Sequence, residues 1–307
     1  MTMDPARPDR PTVDVVVPFA GPTEALRALV RRLAALRIGP GDSLVVVDNR
    51  PGAPDEVRHP RVDVVAARER QSSYHARNRG AARGRAEWLL FVDADVEAPE
   101  DLVARYFDRR PGERTAVLAG GVADEPPAVG EAMPPAARWA YLQASLSQEN
   151  TLLEASPYAK TANCAVRRSA FEAVGGFRDD IRSGGDADLC FRLAAAGWAL
   201  ERRDEAAVLH RSRRRLRKLL RQQARHGSGS AWLERAYPGF SPAKRWPGLA
   251  VWAGREWAAA AVALARPERD AAHLHAVDPL VTWAFEVGRL VPNTVDRPAL
   301  VPGWARR

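Results

Sequence analysis

Cysteine is nearly missing from this chain: Cys164 and Cys190 are the only two in 307 residues. Without CxxC or Cys/His spacing they offer neither a disulfide framework nor a structural zinc site. Each sits among small or apolar neighbours and reads as a core thiol, which fits a reducing, cytoplasmic setting. Long hydrophobic runs are missing as well. The longest candidate, WAAAAVALA from Trp257, is far shorter than the roughly 20 residues a membrane span requires. The N-terminal MTMDPARPDRPT has no hydrophobic signal region and reads as a disordered lead-in over residues 1–11 rather than a targeting peptide. No glycine-rich turn follows the first apolar run, VVVPFAGPTEAL, which excludes the dinucleotide fingerprint of a dehydrogenase. No solenoid repeat and no DNA- or RNA-binding motif is present, so no nucleic-acid partner is expected.

Positive charge, by contrast, is in excess. There are 46 Lys and Arg against 38 Asp and Glu, a net +8, and much of the surplus lies in HRSRRRLRKLLRQQARHG from His210 to Gly227. In helical projection Arg214, Arg217, Lys218, Arg221 and Arg225 share one face, and Leu216, Leu219 and Leu220 another. Such a helix, over residues 211–225, admits three uses: peripheral contact with an anionic membrane at its inner face, a solvated face over a leucine-lined core, or a supply of cations to a phosphate-bearing ligand.

Short β-branched runs alternate with helical patterns. VDVVVPF, SLVVVDN, VDVVAA and AEWLLFVDAD read as buried strands, and TEALRALVRRLAAL between the first two reads as a helix. Strands alternating with helices predict a parallel sheet covered on both faces. In such sheets ligands bind beyond the carboxyl ends of the strands, so the polar residues there are informative. Asp48 and Asn49 close one strand, and Asp93 and Asp95 close another. Two carboxylates one residue apart project to the same side if the strand continues, and they repel unless a cation or proton lies between them. Further on, GVADEPPAVGEAMPP from Gly121 to Pro135 reads as a loop, and AARWAYLQASLSQEN as a helix. The Gly175-Gly176 pair reads as a helix stop. RSGGDADLCFRLAAAGW reads as a glycine loop entering a helix whose first turn carries Asp186 and Asp188.

Taken one at a time, acids at strand ends are ordinary caps. In order, the segments VVVPFAG, VVVDN, ARNRG, FVDAD, NCAVRRSAFEAVGGF, GGDADLCFRL and VLH resemble an inverting family 2 glycosyltransferase of the GT-A type, over about two thirds of the chain. The resemblance implies a Rossmann-like α/β fold with a mixed, mostly parallel sheet flanked by helices. Its implied layout is a catalytic domain over 12–235 and a helical extension over 236–307. It further implies a nucleotide-sugar donor, UDP-, GDP- or dTDP-linked, a hydroxyl acceptor and a bound Mn²⁺ or Mg²⁺.

Residue by residue, Pro18 and Phe19 match the wall around the base, Asp48 the acid that meets base or ribose, and Arg77 and Asn78 the element against the nucleotide. Asp93 and Asp95 match the pair that holds donor and cation, with Asp95 and His210 on the metal. Asp186 matches the catalytic base, while Gly176, Phe177 and Asp188 fall on the acceptor side. The sequence departs from the family pattern at Gly185, where an acid usually precedes the base. A sugar nucleotidyltransferase and an inactive nucleotide-sugar binding protein are the alternative readings.

Overall fold

The computed structural model describes residues 10–52, 57–127 and 130–295, so most of the lead-in expected over 1–11 lies outside the described residues. Where the described chain begins, the Arg10 guanidinium donates to Asp42, whose carboxylate also accepts from the amides of Val13 and Gly39.

One sheet of eight strands organises the molecule. Strands β1 (Val13–Phe19), β2 (Ser43–Asp48), β3 (Asp63–Ala66) and β4 (Trp88–Val92) run parallel in the order β3-β2-β1-β4. Almost every side chain of β1, β2 and β4 is buried, because hydrophobic clusters cover both faces of the sheet. Asp14 is one exception in kind: a carboxylate buried on β1, it accepts from Ser43 Oγ and the Ala86 amide and pairs with Arg168. Past β4 the sheet turns mixed. Strand β7 (Asn163–Arg167) is antiparallel to β4, β6 (Thr115–Asp124) is antiparallel to β7, and β8 (Ala199–His210) is parallel to β6. The short β5 (Val96–Glu97) lies antiparallel against the end of β8, which carries the segment after Asp95 to His210.

Helices α1 (Thr23–Leu33), α2 (Ser73–Ala81) and α7 (Gly185–Ala195) flank the sheet. The hydroxyl of Ser72 caps α2 by accepting from the amides of Tyr74 and His75. Two expectations need correction here. The loop expected from Gly121 is strand as far as Asp124, held by long-range pairing of Val122 with Val208 and Asp124 with His210 that local composition does not report. The single helix expected over AARWAYLQASLSQEN is two: α4 (Pro135–Leu142) stops, Ala144 takes a φ of 43°, and α5 (Glu149–Leu152) starts afresh. The stop at Gly175 and Gly176 is as expected, with φ of 79° and 69°.

After β8 come α8 (Leu216–Ala236), α9 (Trp246–Ala265) and α10 (Arg269–Gly288). Leu219 of α8 is buried against Val277 and Val281 of α10 and Trp139 of α4, with Leu216 and Leu220 packed alongside. The backbones of α8 and α10 touch closely where glycines face carbonyls. A Cβ on Gly227 would lie 1.9 Å from the Phe285 carbonyl oxygen, and one on Gly288 2.0 Å from that of Ala224. No helix among the described residues is long and apolar enough to cross a membrane.

Candidate active site

The carboxyl ends of β1 and β4 open on a cleft of about 970 Å³, roofed by α7, α8 and the segment from Ser145 to Ala162. Pro18, Phe19 and Asn49 line one end, and Asp93, Asp95, His210 and Asp186 line its middle. The expected acids therefore do meet, although Asp186 is nearly a hundred residues beyond the aspartate pair.

Asp93 and Asp95 have different partners. Arg77 donates from Nη2 to Asp93 Oδ1 at 2.5 Å, whereas Asp95 Oδ2 lies 3.5 Å from Nε2 of His210. Desolvation pushes the Asp93 carboxyl up, Arg77 opposes this, and repulsion by Asp95 adds to it. Desolvation would also raise Asp95, but the hydrogen bond and charge of His210 outweigh it and hold that carboxyl below its ordinary value. His210 itself is disfavoured as a cation by burial, yet its two carboxylate neighbours carry its pKa to about 9. The second neighbour is Asp124, whose Oδ1 is 3.1 Å from His210 Nδ1 and accepts from Ser212 Oγ at 2.6 Å. This carboxylate fixes the imidazole so that Nε2 faces Asp95, the arrangement that orients metal-ligating histidines.

No three His, Cys, Asp or Glu side chains converge as a protein-only metal centre among the described residues. Asp95 Oδ2 and His210 Nε2 present neighbouring ligand atoms on the cleft wall. An ion on them would draw its remaining ligands from water or from the oxygens of an anion, which suits a hard cation such as Mg²⁺ or Mn²⁺.

A cationic wall faces these acids. Arg77, Lys160, Arg182, Arg213 and Arg225 all line the cleft. The Nε of Arg77 is buried without a hydrogen-bond partner, while its Nη2 is spent on Asp93. Lys160 donates to the carbonyls of Ser145 and Ser147, and burial draws its pKa down to about 8 against the opposing pull of Asp186 and Asp124. Of the three uses open to the basic helix, the leucines of α8 are spent on packing and Arg225 supplies charge to the cleft.

Asp186 sits in the first turn of α7, after Gly184 in the left-handed region at φ 86°. Burial raises its carboxyl above the ordinary value, with Arg77 and the Ala187 amide pulling the other way. The loop leading to it is held from two sides. The Asn293 side chain accepts from the Ser183 amide and donates to the Ser183 carbonyl, and the hydroxyl of Tyr74 accepts from the Gly185 amide at 2.9 Å. The ring of Tyr74 also explains why residue 185 carries no side chain. A Cβ there would lie 2.8 Å from two ring atoms of a tyrosine that is itself buried and stacked on Phe177. Gly185→Ala is therefore expected to cost about 1–3 kcal/mol of stability through overpacking. Chemical denaturation of the two proteins would measure it, and an unchanged midpoint would show that Tyr74 yields freely.

Several expected residues do not line the cleft. Both oxygens of Asp48 are bound by Arg50, at 2.8 Å each. Burial would raise this carboxyl, but the Arg50 bonds hold it below its usual value. Arg50 in turn reaches Thr23 and lies over the Phe19 ring. Asn78 brackets the backbone of Phe177, accepting from its amide and donating to its carbonyl. Phe177 is buried among Tyr74, Phe91 and Phe171, with Gly176 beside it. Asp188 is buried, engaged by Arg192 and by the Tyr237 hydroxyl at 2.8 Å. Asn78, Gly176, Phe177 and Asp188 thus lie behind the residues that line the cleft, as packing and hydrogen-bond supports. Sequence reading missed Asp124, Tyr74, Lys160, Arg213 and Asn293. Asp124 alone left a signal, an acid ending a run of alternating small residues.

Comparison with known proteins agrees with this geometry. Residues 14–175 match the model for glycosyl transferase family 2, and residues 128–285 that for glycosyl transferase family group 2. The pre-mycofactocin glycosyltransferase of Mycobacterium tuberculosis (strain H37Rv) is 31% identical over 248 residues, 76% of this chain and 50% of that protein. The glycosyltransferase AglE of Haloferax volcanii is 26% identical over 229 residues, 71% of this chain and 73% of the relative. The chain spans about half the length of the mycobacterial relatives it matches. Among solved structures, the mannosyltransferase PcManGT of Pyrobaculum calidifontis, in complex with GDP-Man and Mn²⁺, superposes with a TM-score of 0.62 at 19% identity, over 92% of this chain and 88% of that one. At that identity the likeness speaks for the fold, which is GT-A.

Proposed function

The chain belongs to glycosyl transferase family 2, and from that premise we propose that it is a glycosyltransferase that moves a sugar from a nucleoside-diphosphate donor to an acceptor hydroxyl with inversion. The observation that carries this reading is the meeting of Asp186 with Asp93, Asp95 and His210 in one cleft, against Arg77, Lys160 and Arg213. Pro18 and Phe19 wall the nucleoside end, and Asp48 acts there through Arg50, which it holds over the Phe19 ring. Arg77 and Arg213, which line the cleft beside the acids, are the cations that meet the diphosphate. Asp95 and His210 would hold the divalent cation, Mn²⁺ or Mg²⁺; the Mn²⁺ bound with GDP-Man in the Pyrobaculum enzyme supports the choice of a divalent metal. When bound, the cation neutralises charge that grows on the leaving diphosphate.

Asp186 removes the proton of the acceptor hydroxyl as its oxygen attacks the anomeric carbon from the face opposite the phosphate. The bond from that carbon to the phosphate oxygen breaks with its electron pair, and the configuration inverts. Burial of Asp186 raises its basicity toward that of the group it must deprotonate, and the loop bonds from Tyr74 and Asn293 fix its place.

Thermal unfolding with UDP-, GDP- and dTDP-sugars, with and without Mn²⁺, tests the donor half of this reading. One of them is expected to raise the melting point by several degrees at about 100 times its Kd, and only with the metal. If none does so, the proposed donor site is refuted.

A further inference from the structure

The surface of the last two helices is unlike the rest of the molecule. Of the twelve large hydrophobic side chains exposed among the described residues, nine lie from Trp246 onward. On α9 they are Trp246, Val251, Trp257, Val262 and Leu264, between 43% and 67% exposed. Among the exposed positions of α9 only Arg255 is charged, because Glu256 turns inward to meet His275 of α10 at 2.6 Å. On α10 the exposed Leu280 and Val287 lie two turns apart on one side, and Leu290 and Val291 are exposed in the turn at its exit. The two helices join. Trp246 lies against Trp283 at 5.2 Å between ring centroids, and Trp257 donates from Nε1 to the Ala276 carbonyl.

Cations border this face. Lys244 and Arg245 precede α9, Arg255 sits on it, and Arg266 and Arg269 follow it, all exposed. Of the three acids in the same stretch, Glu256 is taken by His275 and Asp270 by Arg138, which leaves Glu268. An apolar helical face flanked by tryptophan and basic side chains matches the chemistry of a bilayer boundary, where acyl chains meet anionic headgroups. A second copy of the chain on the same face would bring two such sets of cations together. The face is also distinct from α8, whose leucines are already packed against α10 and α4.

We propose that the α9–α10 face is a membrane-docking surface, on which the protein lies flat against an anionic lipid bilayer without crossing it. Its helices are the ones that back the transfer site. A cavity of about 460 Å³ runs from His210 and Arg213 to Trp252, on the inner side of α9. A bilayer at this face thus stands one helix layer from the proposed metal ligands.

Flotation of the purified chain with vesicles of phosphatidylcholine, with and without phosphatidylglycerol, tests the inference. Binding is expected with the anionic vesicles and not with phosphatidylcholine alone, and it should weaken at high salt. The double variant Val251→Glu/Val262→Glu is expected to lose at least about tenfold in partitioning, since it puts charge where acyl chains would be. Both valines are more than half exposed, so the melting point should be unchanged. Lys244→Glu and Arg255→Glu should each lower binding to anionic vesicles roughly fivefold. No flotation of the parent, or equal flotation of the valine variant, would overturn the proposal. So would light scattering that finds a dimer broken by the valine variant while the parent ignores vesicles, because the face would then belong to a second copy.

Discussion

Asp186→Asn is expected to lower the turnover of sugar transfer by about 100- to 10,000-fold, the range that a positioned general base contributes. The amide keeps the shape of the carboxylate, so the bonds of Ser183 to Asn293 and of Gly185 to Tyr74 have no reason to break. Donor binding should stay near the parent value, because the residues facing the diphosphate, Arg77 and Arg213, are untouched. The base acts in its deprotonated form, and burial raises its pKa. Transfer by the parent should therefore fall with decreasing pH through a value above the ordinary carboxylate range, and the variant should lose that limb. Initial rates against pH with a true acceptor give both quantities. Transfer that persists within tenfold of the parent would mean that another group takes the proton.

Asp95→Asn should remove the metal-dependent part of donor binding. Asp95 and His210 are the two proposed ligands, so losing one leaves the ion a single proposed protein contact. Altering even an outer-shell partner of a metal ligand costs about 10- to 100-fold in affinity, and loss of the carboxylate itself should exceed that. Asp95 is 49% exposed and pairs only loosely with His210, so the fold should be unaffected. His210 keeps its hydrogen bond to Asp124 in the variant. Calorimetric titration of the donor with and without Mn²⁺ would separate the two contributions. A variant whose Mn²⁺ dependence equals that of the parent would move the proposed ion elsewhere. Residual binding without metal is expected in both proteins, carried by the cationic wall of Arg77, Lys160 and Arg213.

How much of this was legible beforehand differs by residue. Asp93 and Asp95 were legible because they end a strand, and Asp186 and His210 because the order of motifs resembles the family; the structure brings all four to one cleft. Asp124 escaped because it ends a strand whose partner, β8, lies 86 residues later, and the proline-rich stretch after it looks like loop from the start. Asp48 was found but its partner was not. The arginine two residues on folds back to bind it, and adjacency in sequence does not reveal which way a side chain turns. Asn78, Phe177 and Asp188 were placed near the ligand by their motif, whereas in the structure they do not line the cleft. They brace the elements around it through a backbone clamp, an aromatic cluster and an ion pair with Arg192.

The sequence by itself determined the parallel half of the sheet and the order of acids at its carboxyl edge, since buried strands must be continuous apolar runs and their ends must be polar. It also determined that residue 185 would depart from pattern. Only the tertiary structure decided why, by filling that space with Tyr74 from a helix more than a hundred residues earlier. It alone joined Asp124 to His210 and Asn293 to Ser183, and it alone turned Leu219 of α8 inward while leaving Leu264 of α9 and Leu280 of α10 bare. Contacts of this kind are fixed by packing between distant segments, and no local spacing encodes which face of a helix another element will cover.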